Sequence, residues 1–279
     1  MVGISKKYRP FVLIGCVILG CCIPVSAASV LSLDNLLNNL PGLLAKEVVS
    51  PLVRTFGLVF NHRPMEPATP LGTQFGFDLG VEFHLVQIPN ELFDELQGYG
   101  LDLPFIPDLP SIRELNFHKG ISNSVDVGGA ILSYQGYLIW GIDLKIVLSH
   151  PEEGPTWAIR LSRNSVHLPV GNLSILDRTI DVSLDAVTWT PMLLVSKKLE
   201  FADPYLGLGY QYVTGGLNVN ITGDPLPGID SIAADPGGGV LALIGLSLKP
   251  PNIGLRVTLE GAYSSAGTHS LGTKVGFSF

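Results

Sequence analysis

The sequence has no cysteine beyond residue 22, few charges, and no apolar run of the length that a membrane-spanning helix requires. Its three cysteines (Cys16, Cys21 and Cys22) all fall within the first 28 residues, a segment that reads as removable. A chain without them holds no disulfide, no cysteine nucleophile and no thiolate metal site. Charged residues make up 15 % of the chain against 46 % hydrophobic, which is too greasy for disorder. The charge that exists is acidic. The chain carries −7, and removing the first 28 residues takes away three basic groups and no acidic one, giving −10. A basic nucleic-acid footprint is therefore absent, as is a polybasic patch for a membrane surface.

What is present begins with an export signal. Lys6, Lys7 and Arg9 form a basic start, residues 11–23 an apolar run, and Val25-Ser26-Ala27 a small-residue cleavage site. Thirteen apolar residues are too few for a spanning helix, which needs about twenty. An alternative processing site, Ile18-Leu19-Gly20-Cys21, would leave Cys21 lipidated, although leucine before the glycine is unusual there. Residues 29–71 then carry Leu33, Leu36, Leu37, Leu40, Leu44 and Val48 at helical spacing. Ser50-Pro51 reads as a cap with proline at the first helical position. Short amphipathic helices are expected to end near Phe60, followed by a proline-bearing linker over 63–70.

From Thr73 the period changes to two. Phe75, Phe77, Leu79, Val81, Phe83 and Leu85 alternate with Gln74, Gly76, Asp78, Gly80, Glu82 and His84. The pattern recurs over 138–146, 157–162, 180–185, 206–212, 253–263 and 271–279, and less cleanly over 121–134, 192–201 and 238–249. Lys197 falls on the apolar face of its stretch unless a bulge shifts the register. Residues 72–279 are therefore expected to form an all-β, antiparallel up-and-down barrel of about ten strands, near the length a tilted strand needs to cross a bilayer. Residues 87–120 and 223–237 read as long links and 135–136 as a tight one. The stretch 165–191 fits poorly, which keeps eight strands open.

Period two alone does not tell a lipid-facing barrel from a soluble one with a greasy interior. Three features favour lipid. The polar faces mix glycine with charges of both signs, as a crowded polar lumen would. Trp157, Trp189, Tyr205, Tyr263 and Phe277 fall near expected strand ends, where aromatic girdles occur. The chain also ends on Phe279, with Leu271, Thr273, Val275 and Phe277 at alternate positions before it. This ending resembles the C-terminal signature of bacterial outer-membrane barrels. The resemblance implies outer-membrane lipid as surroundings and the barrel assembly machinery as the partner that reads Leu271, Val275, Phe277 and Phe279. Looser similarities to uncharacterised outer-membrane barrels lie in Leu109–Gly129 and around Ser196–Leu199 and Pro204–Tyr210. The family implies a location and not an activity.

Asp78, Glu82, Asp126, Asp143, Lys145, Arg160, Asp181, Asp185, Arg256, Glu260 and Lys274 are expected to line the lumen, with Lys198. They would form either a selectivity lining for a small solute or a salt-bridged packing that leaves no path, and a narrow barrel favours packing. His84 beside Glu82, and Ser149-His150, invite a hydrolase reading. No nucleophile–base–orienter set can be placed, so no enzyme is expected. Asp224, Asp230 and Asp235 offer oxygens for calcium at an irregular spacing, and no metal site is assigned. No cofactor motif is present. The link 87–120 reads equally as a partner-binding lid or a self-packed cap. The helices of 33–60 could plug the lumen, lie at the bilayer interface or meet a partner. Passage or binding of a small solute is the first functional expectation, and a structural barrel whose loops bind a partner is the alternative. A lipid-modifying enzyme is a weaker third.

Overall fold

The computed structural model describes residues 46–73, 76–88, 111–134, 137–175, 178–222, 231–250 and 254–278. The expected signal peptide, Cys21, residues 29–45, most of the 87–120 link, Asp224, Asp230 and Phe279 lie outside the described residues. The described chain begins with α1 (Lys46–Val59). The strands are β1 (Phe77–Gln87), β2 (Ser111–Gly120), β3 (Val125–Tyr134), β4 (Tyr137–Ser149), β5 (Pro155–Ile175) and β6 (Arg178–Lys197). They continue with β7 (Ala202–Thr222), β8 (Ser231–Ala233), β9 (Gly237–Leu248), β10 (Leu255–Ser264) and β11 (His269–Ser278). Each strand pairs antiparallel with the next as far as β7, β7 pairs with β9 past the three-residue β8, and β11 returns to β1. Ten strands thus close one barrel, and the eight-stranded alternative falls away.

One strand went unread in the sequence and another was counted twice, and the errors offset each other. The 87–120 link ends in a barrel strand, β2, whose Leu115 and Phe117 face out while Glu114, Asn116 and His118 face in. The stretches 180–185 and 192–201 are not two strands but parts of β6, which is 20 residues long. Pro191 made the sequence look broken there. The ladder between β6 and β7 skips from Trp189↔Tyr212 to Met192↔Gly209, so the missing N–H of proline interrupts one ladder and not the strand.

Outward side chains within the barrel are apolar and solvent-exposed: Phe77, Leu79, Phe83 and Leu85 on β1, and Leu138, Trp140, Ile142, Leu144, Ile146 and Leu148 on β4. On a strand tilted by about 40°, the band from Leu138 to Leu148 rises about 25 Å, the height of a bilayer's apolar layer at such barrels. Aromatic rings mark its borders. Arg163 lies 5.1 Å from the Trp140 ring and 5.7 Å from the Trp189 ring, near Tyr212, which pairs with Trp189. At the opposite border Phe77 and Phe117 pack at 5.8 Å with the Lys119 ammonium 4.1 Å over Phe77. Tyr205 is not a girdle residue: it points inward, fully buried, and its hydroxyl donates to Glu260 Oε2 at 2.7 Å. Lys197 sits at the end of β6 on the outer face, opposite Pro155 with no register shift, and Lys198 is exposed in the following turn rather than in the lumen.

Beyond Trp189 the polarity of the wall inverts. β5, β6 and β7 continue for 21, 20 and 21 residues, about twice the length of their neighbours. On this extension Val166, Leu168, Val182, Leu184, Ala186, Val213, Leu217 and Val219 point inward, and the outer face is polar. Asp181 and Asp185, expected in the lumen, therefore face outward. Asp185 meets His167 Nδ1 at 2.5 Å and accepts from Asn218. The reason is solvent: within the bilayer the apolar face belongs outside, and above it the apolar face must find protein.

That protein is α1. Val48, Val49, Leu52, Val53, Phe56 and Val59 recur at helical spacing and bury against the inner face of the extension. Each such side chain contributes about 1.5–3 kcal/mol when fully buried. A β-carbon at Gly57 would stand 2.4 Å from Val213 Cγ1, so glycine lets helix and wall touch, and Thr188 Oγ1 donates to the Gly57 carbonyl at 2.8 Å. The helix begins four residues before the expected Ser50 cap, and Pro51 lies inside it, at the cost of the hydrogen bond to the Glu47 carbonyl.

Candidate functional site

The site is the filled lumen. α1 enters at the rim that carries the extension, where Lys46 Nζ meets Asp235 Oδ1 at 2.5 Å and the Asp235 amide donates to Ser50 Oγ at 2.9 Å. Asp235, one of the three loop acids to which no metal was assigned, is thus paired with an ammonium. Below the helix, residues 60–73 descend through the barrel as an extended strap, and positions 60 to 69 are all buried. The wall reads off the descent in order. Asn164 donates to the Phe60 carbonyl, Thr190 Oγ1 to Asn61 at 3.3 Å, and Arg160 Nη1 to the Pro64 carbonyl at 2.7 Å. Lys145 Nζ then donates to the carbonyls of Pro67 at 3.3 Å and Thr69 at 2.9 Å, and the Leu71 amide to Asp126 at 3.2 Å. Lys119 takes the Thr73 carbonyl at 2.9 Å at the opposite rim, where Gly72 turns the strap back toward β1 with φ +88°. The prolines of the linker suit this role. A proline carries no N–H to satisfy inside the barrel, and the strap offers mostly carbonyls to a wall of donors.

Glu66 is the strap's anchor. At 1 % exposure it is ringed by His118 Nδ1 (3.0 Å), Lys145 (3.6 Å), Lys274 (3.6 Å) and Arg160 Nη2 (3.7 Å), contributed by β2, β4, β11 and β5. The remaining lumen acids are tied in around it. Asp78 meets Lys274 at 2.6 Å and Arg256 at 3.0 Å, Asp126 meets Lys145 at 2.9 Å, and Glu82 lies 3.5 Å from Lys274. Glu82 also accepts from Asn116 and from the Met65 amide at 3.2 Å. Near the turn rim, buried Asp203 accepts from Lys249, whose ammonium is held below its ordinary range by burial first and by Arg256 second, with Asp203 opposing both.

Nine of the twelve residues expected in the lumen are therefore inside and buried, while Asp181, Asp185 and Lys198 are outside. Sequence reading missed the strap acids and bases, Glu66, His62 and Arg63, and the β2 trio Glu114, Asn116 and His118. The β2 trio did carry a signal, an alternation of Leu115 and Phe117 with polar residues. The strap carried none, because an extended segment has no period.

The histidines gather at one level. His62 of the strap is in contact with Glu114 through Nδ1 and with Asp143 Oδ2 through Nε2 at 3.3 Å. His118 meets Glu66 through Nδ1 and Asp143 Oδ2 through Nε2 at 2.8 Å, and the two rings stack at 6.3 Å. His84 faces Glu82 at 3.2 Å and Glu114 at 3.8 Å. Ligand atoms of His62, His118 and Asp143 lie within 4.8 Å of one another, as do those of Glu66, Asp78 and His118 and those of Glu82, His84 and Glu114. Apart from Asp203, the buried lumen acids Glu66, Asp78, Glu82, Glu114, Asp126, Asp143 and Glu260 outnumber the permanent cations Arg63, Lys145, Arg160, Arg256 and Lys274 by two among the described residues.

A closed antiparallel barrel with an apolar outer band and an ion-paired polar interior is a membrane β-barrel of the outer-membrane type, here carrying its own plug. Among the described residues no helix is long and apolar enough to cross a membrane. No family model matches the chain, and no curated protein matches it. Solved structures do. The attachment invasion locus protein Ail of Yersinia pestis, in complex with the heparin analogue sucrose octasulfate, shares 12 % identity over 72 % of this chain and 94 % of that one, with a TM-score of 0.32. The translocator domain of the autotransporter NalP from Neisseria meningitidis shares 12 % over 73 % and 88 %, with a TM-score of 0.31. The Acinetobacter baumannii outer membrane protein Omp33 shares 9 % over 73 % and 97 %, with a TM-score of 0.28. These likenesses are distant, and the class rests on this chain's own geometry.

Proposed function

We propose that the protein is an integral outer-membrane barrel held shut by its own N-terminal segment, and that it acts through the surface raised at its loop rim. The supporting observation is the strap: its backbone is hydrogen-bonded down the height of the lumen and Glu66 is locked to four strands. The joins at 121–124, 150–154 and 198–201 are all short, whereas the opposite rim carries the long β1–β2 and β7–β8 links and the β5–β7 extension beside its tight joins, which supports the periplasm for the first rim and the outside for the second. The polar outer face of that extension, with Asp181, Asp185, His167 and Asn218, is the surface offered to a partner. Recognition by the assembly machinery belongs to the same reading and rests on the 271–279 ending.

The protein is read as a non-enzyme. His84 is turned to carboxylates, and His150 shares a hydrogen bond with Thr156 Oγ1 at 2.7 Å at the periplasmic rim. Among the described residues neither histidine holds a hydroxyl at one ring nitrogen and a carboxylate at the other, which supports this reading.

Gated passage of a small solute is the second reading. It is favoured by the charged lining, which mere anchoring does not require. Planar-bilayer recording separates the readings. Wild type is expected to stay silent, and a variant lacking residues 46–71 to show a steady conductance step. A steady open step from wild type would overturn the shut barrel and restore free passage, whereas infrequent discrete openings would favour the gated one.

A further inference from the structure

We infer that His62, His118 and Asp143 form a binding site for a divalent transition-metal ion of the Zn2+ type, which staples the plug to the barrel wall. His62 comes from the strap, His118 from β2 and Asp143 from β4, so one ion would join the strap to two strands that do not pair with each other.

Orientation carries the argument. Both imidazoles aim Nε2 at the same oxygen, Asp143 Oδ2, at 3.3 and 2.8 Å. His62 Nδ1 is hydrogen-bonded to Glu114, and His118 Nδ1 stands 3.0 Å from Glu66 as an ion pair, outside hydrogen-bond geometry. A metal-ligating histidine does this: one nitrogen binds, and the other N–H is held by a carboxylate that fixes the tautomer. Around a tetrahedral ion with bonds of about 2.0–2.1 Å, ligand atoms stand about 3.3 Å apart; the two spacings to Asp143 Oδ2 are 3.3 and 2.8 Å, and all three ligand atoms lie within 4.8 Å of one another. Imidazole and carboxylate together suit zinc and its neighbours and not calcium or magnesium, which take oxygen.

The wall is shaped for these rings. A β-carbon at Gly128 would stand 1.9 Å from the His118 ring and 2.5 Å from Asp143 Oδ2, and one at Gly141 would stand 2.6 Å from His62 Cβ. The lumen's charge also fits. Among the described residues, and apart from Asp203 with its partner Lys249, seven buried carboxylates against five permanent cations leave a deficit of two, which one divalent ion cancels. The nearest permanent cation, Arg160, lies 3.9 Å from Asp143 Oδ1, the oxygen turned away from the two Nε2 atoms. The competing occupant is a proton on each imidazole, which would cancel the same deficit.

The test refolds the full chain in detergent with Zn2+, removes free ion over chelating resin, and measures metal per chain, with Co2+ as a spectroscopic probe. Wild type is expected to retain one Zn2+ and to give the visible bands of four-coordinate Co2+. His62→Ala, His118→Ala and Asp143→Asn should lose both, while still migrating as heat-modifiable barrels. Glu66→Gln, which removes the carboxylate behind His118, should weaken binding about 10–100-fold. His84→Ala should retain the ion, which separates this site from the neighbouring Glu82–His84–Glu114 group. A wild-type barrel that takes up no Zn2+ assigns the site to protons and overturns the proposal, whether or not the variants fold. Retention in the His62 and His118 variants overturns it equally.

Discussion

At the scale of single residues, Glu66 and Asp185 make opposite cases of the same chemistry. Both are acids in contact with basic groups. Glu66 sits at 1 % exposure among one histidine and three permanent cations, where removing it strands buried charge. Asp185 sits on the water-facing side of the extension, its side chain 41 % exposed beside His167. Glu66→Leu is expected to lower the unfolding free energy of the refolded barrel by about 3–5 kcal/mol, as breaking a buried pair from one side does. Asp185→Ala is expected to change it by less than about 1 kcal/mol. Guanidinium unfolding in detergent measures both, and equal losses would mean that Glu66 does not hold the strap. That Asp185 was read from sequence as a lumen residue shows what alternation cannot see. It gives which residues share a face, but the medium on each side gives the face its meaning.

At the scale of elements, α1 and the strap form one closing device with two kinds of adhesion. The helix is held by apolar packing against β5–β7 and the strap by hydrogen bonds and ion pairs below it. These should fail separately. Leu52→Ala removes a buried side chain from the helix contact, at about 2–5 kcal/mol. It leaves every wall donor to the strap in place, so the helix is expected to loosen while the lumen stays shut. Planar bilayers should then remain silent with Leu52→Ala, while proteolysis within 46–59 quickens. A conducting Leu52→Ala barrel would show that the helix, and not the strap, is the seal. The helix was legible in sequence because its spacing is that of a buried stripe. The descent of residues 60–73 was not, since a single extended pass has no repeat and its partners come from strands up to about two hundred residues away in sequence.

At the scale of the whole molecule, direction is the consequence that matters. The chain enters the barrel at the loop rim with Lys46 and leaves it at the turn rim past Thr73, so position 46 and the turn at 198 lie at opposite ends. The absence of cysteine after residue 22 makes this measurable. A membrane-impermeant maleimide on intact cells is expected to label Lys46→Cys and to spare Lys198→Cys until the envelope is opened. The reverse pattern would invert the assigned orientation, and labelling of both would contradict a barrel seated across the membrane.

The sequence by itself determined the barrel. An alternation of apolar with small or charged residues, repeated over strands of bilayer length, has one stable outcome in lipid, a closed sheet with its polar side in. It also determined nine of the lumen charges, because side chains of a strand alternate faces wherever no bulge intervenes, and the register shifts of this barrel (Val147/Ser149 and Pro169/Gly171) lie away from those nine. Only the tertiary structure decided what those charges serve. β2 was hidden behind prolines, Pro191 looked like a break, and the extension reversed the rule at the bilayer's edge. The filling of the lumen was settled by a segment with no period of its own, drawn in because a wall of buried donors and cations must be satisfied by something. Water could have done so in an open pore. Here Glu66, His62 and a run of backbone carbonyls do it, so the lining meets a segment of its own chain where the alternation alone suggests a pore.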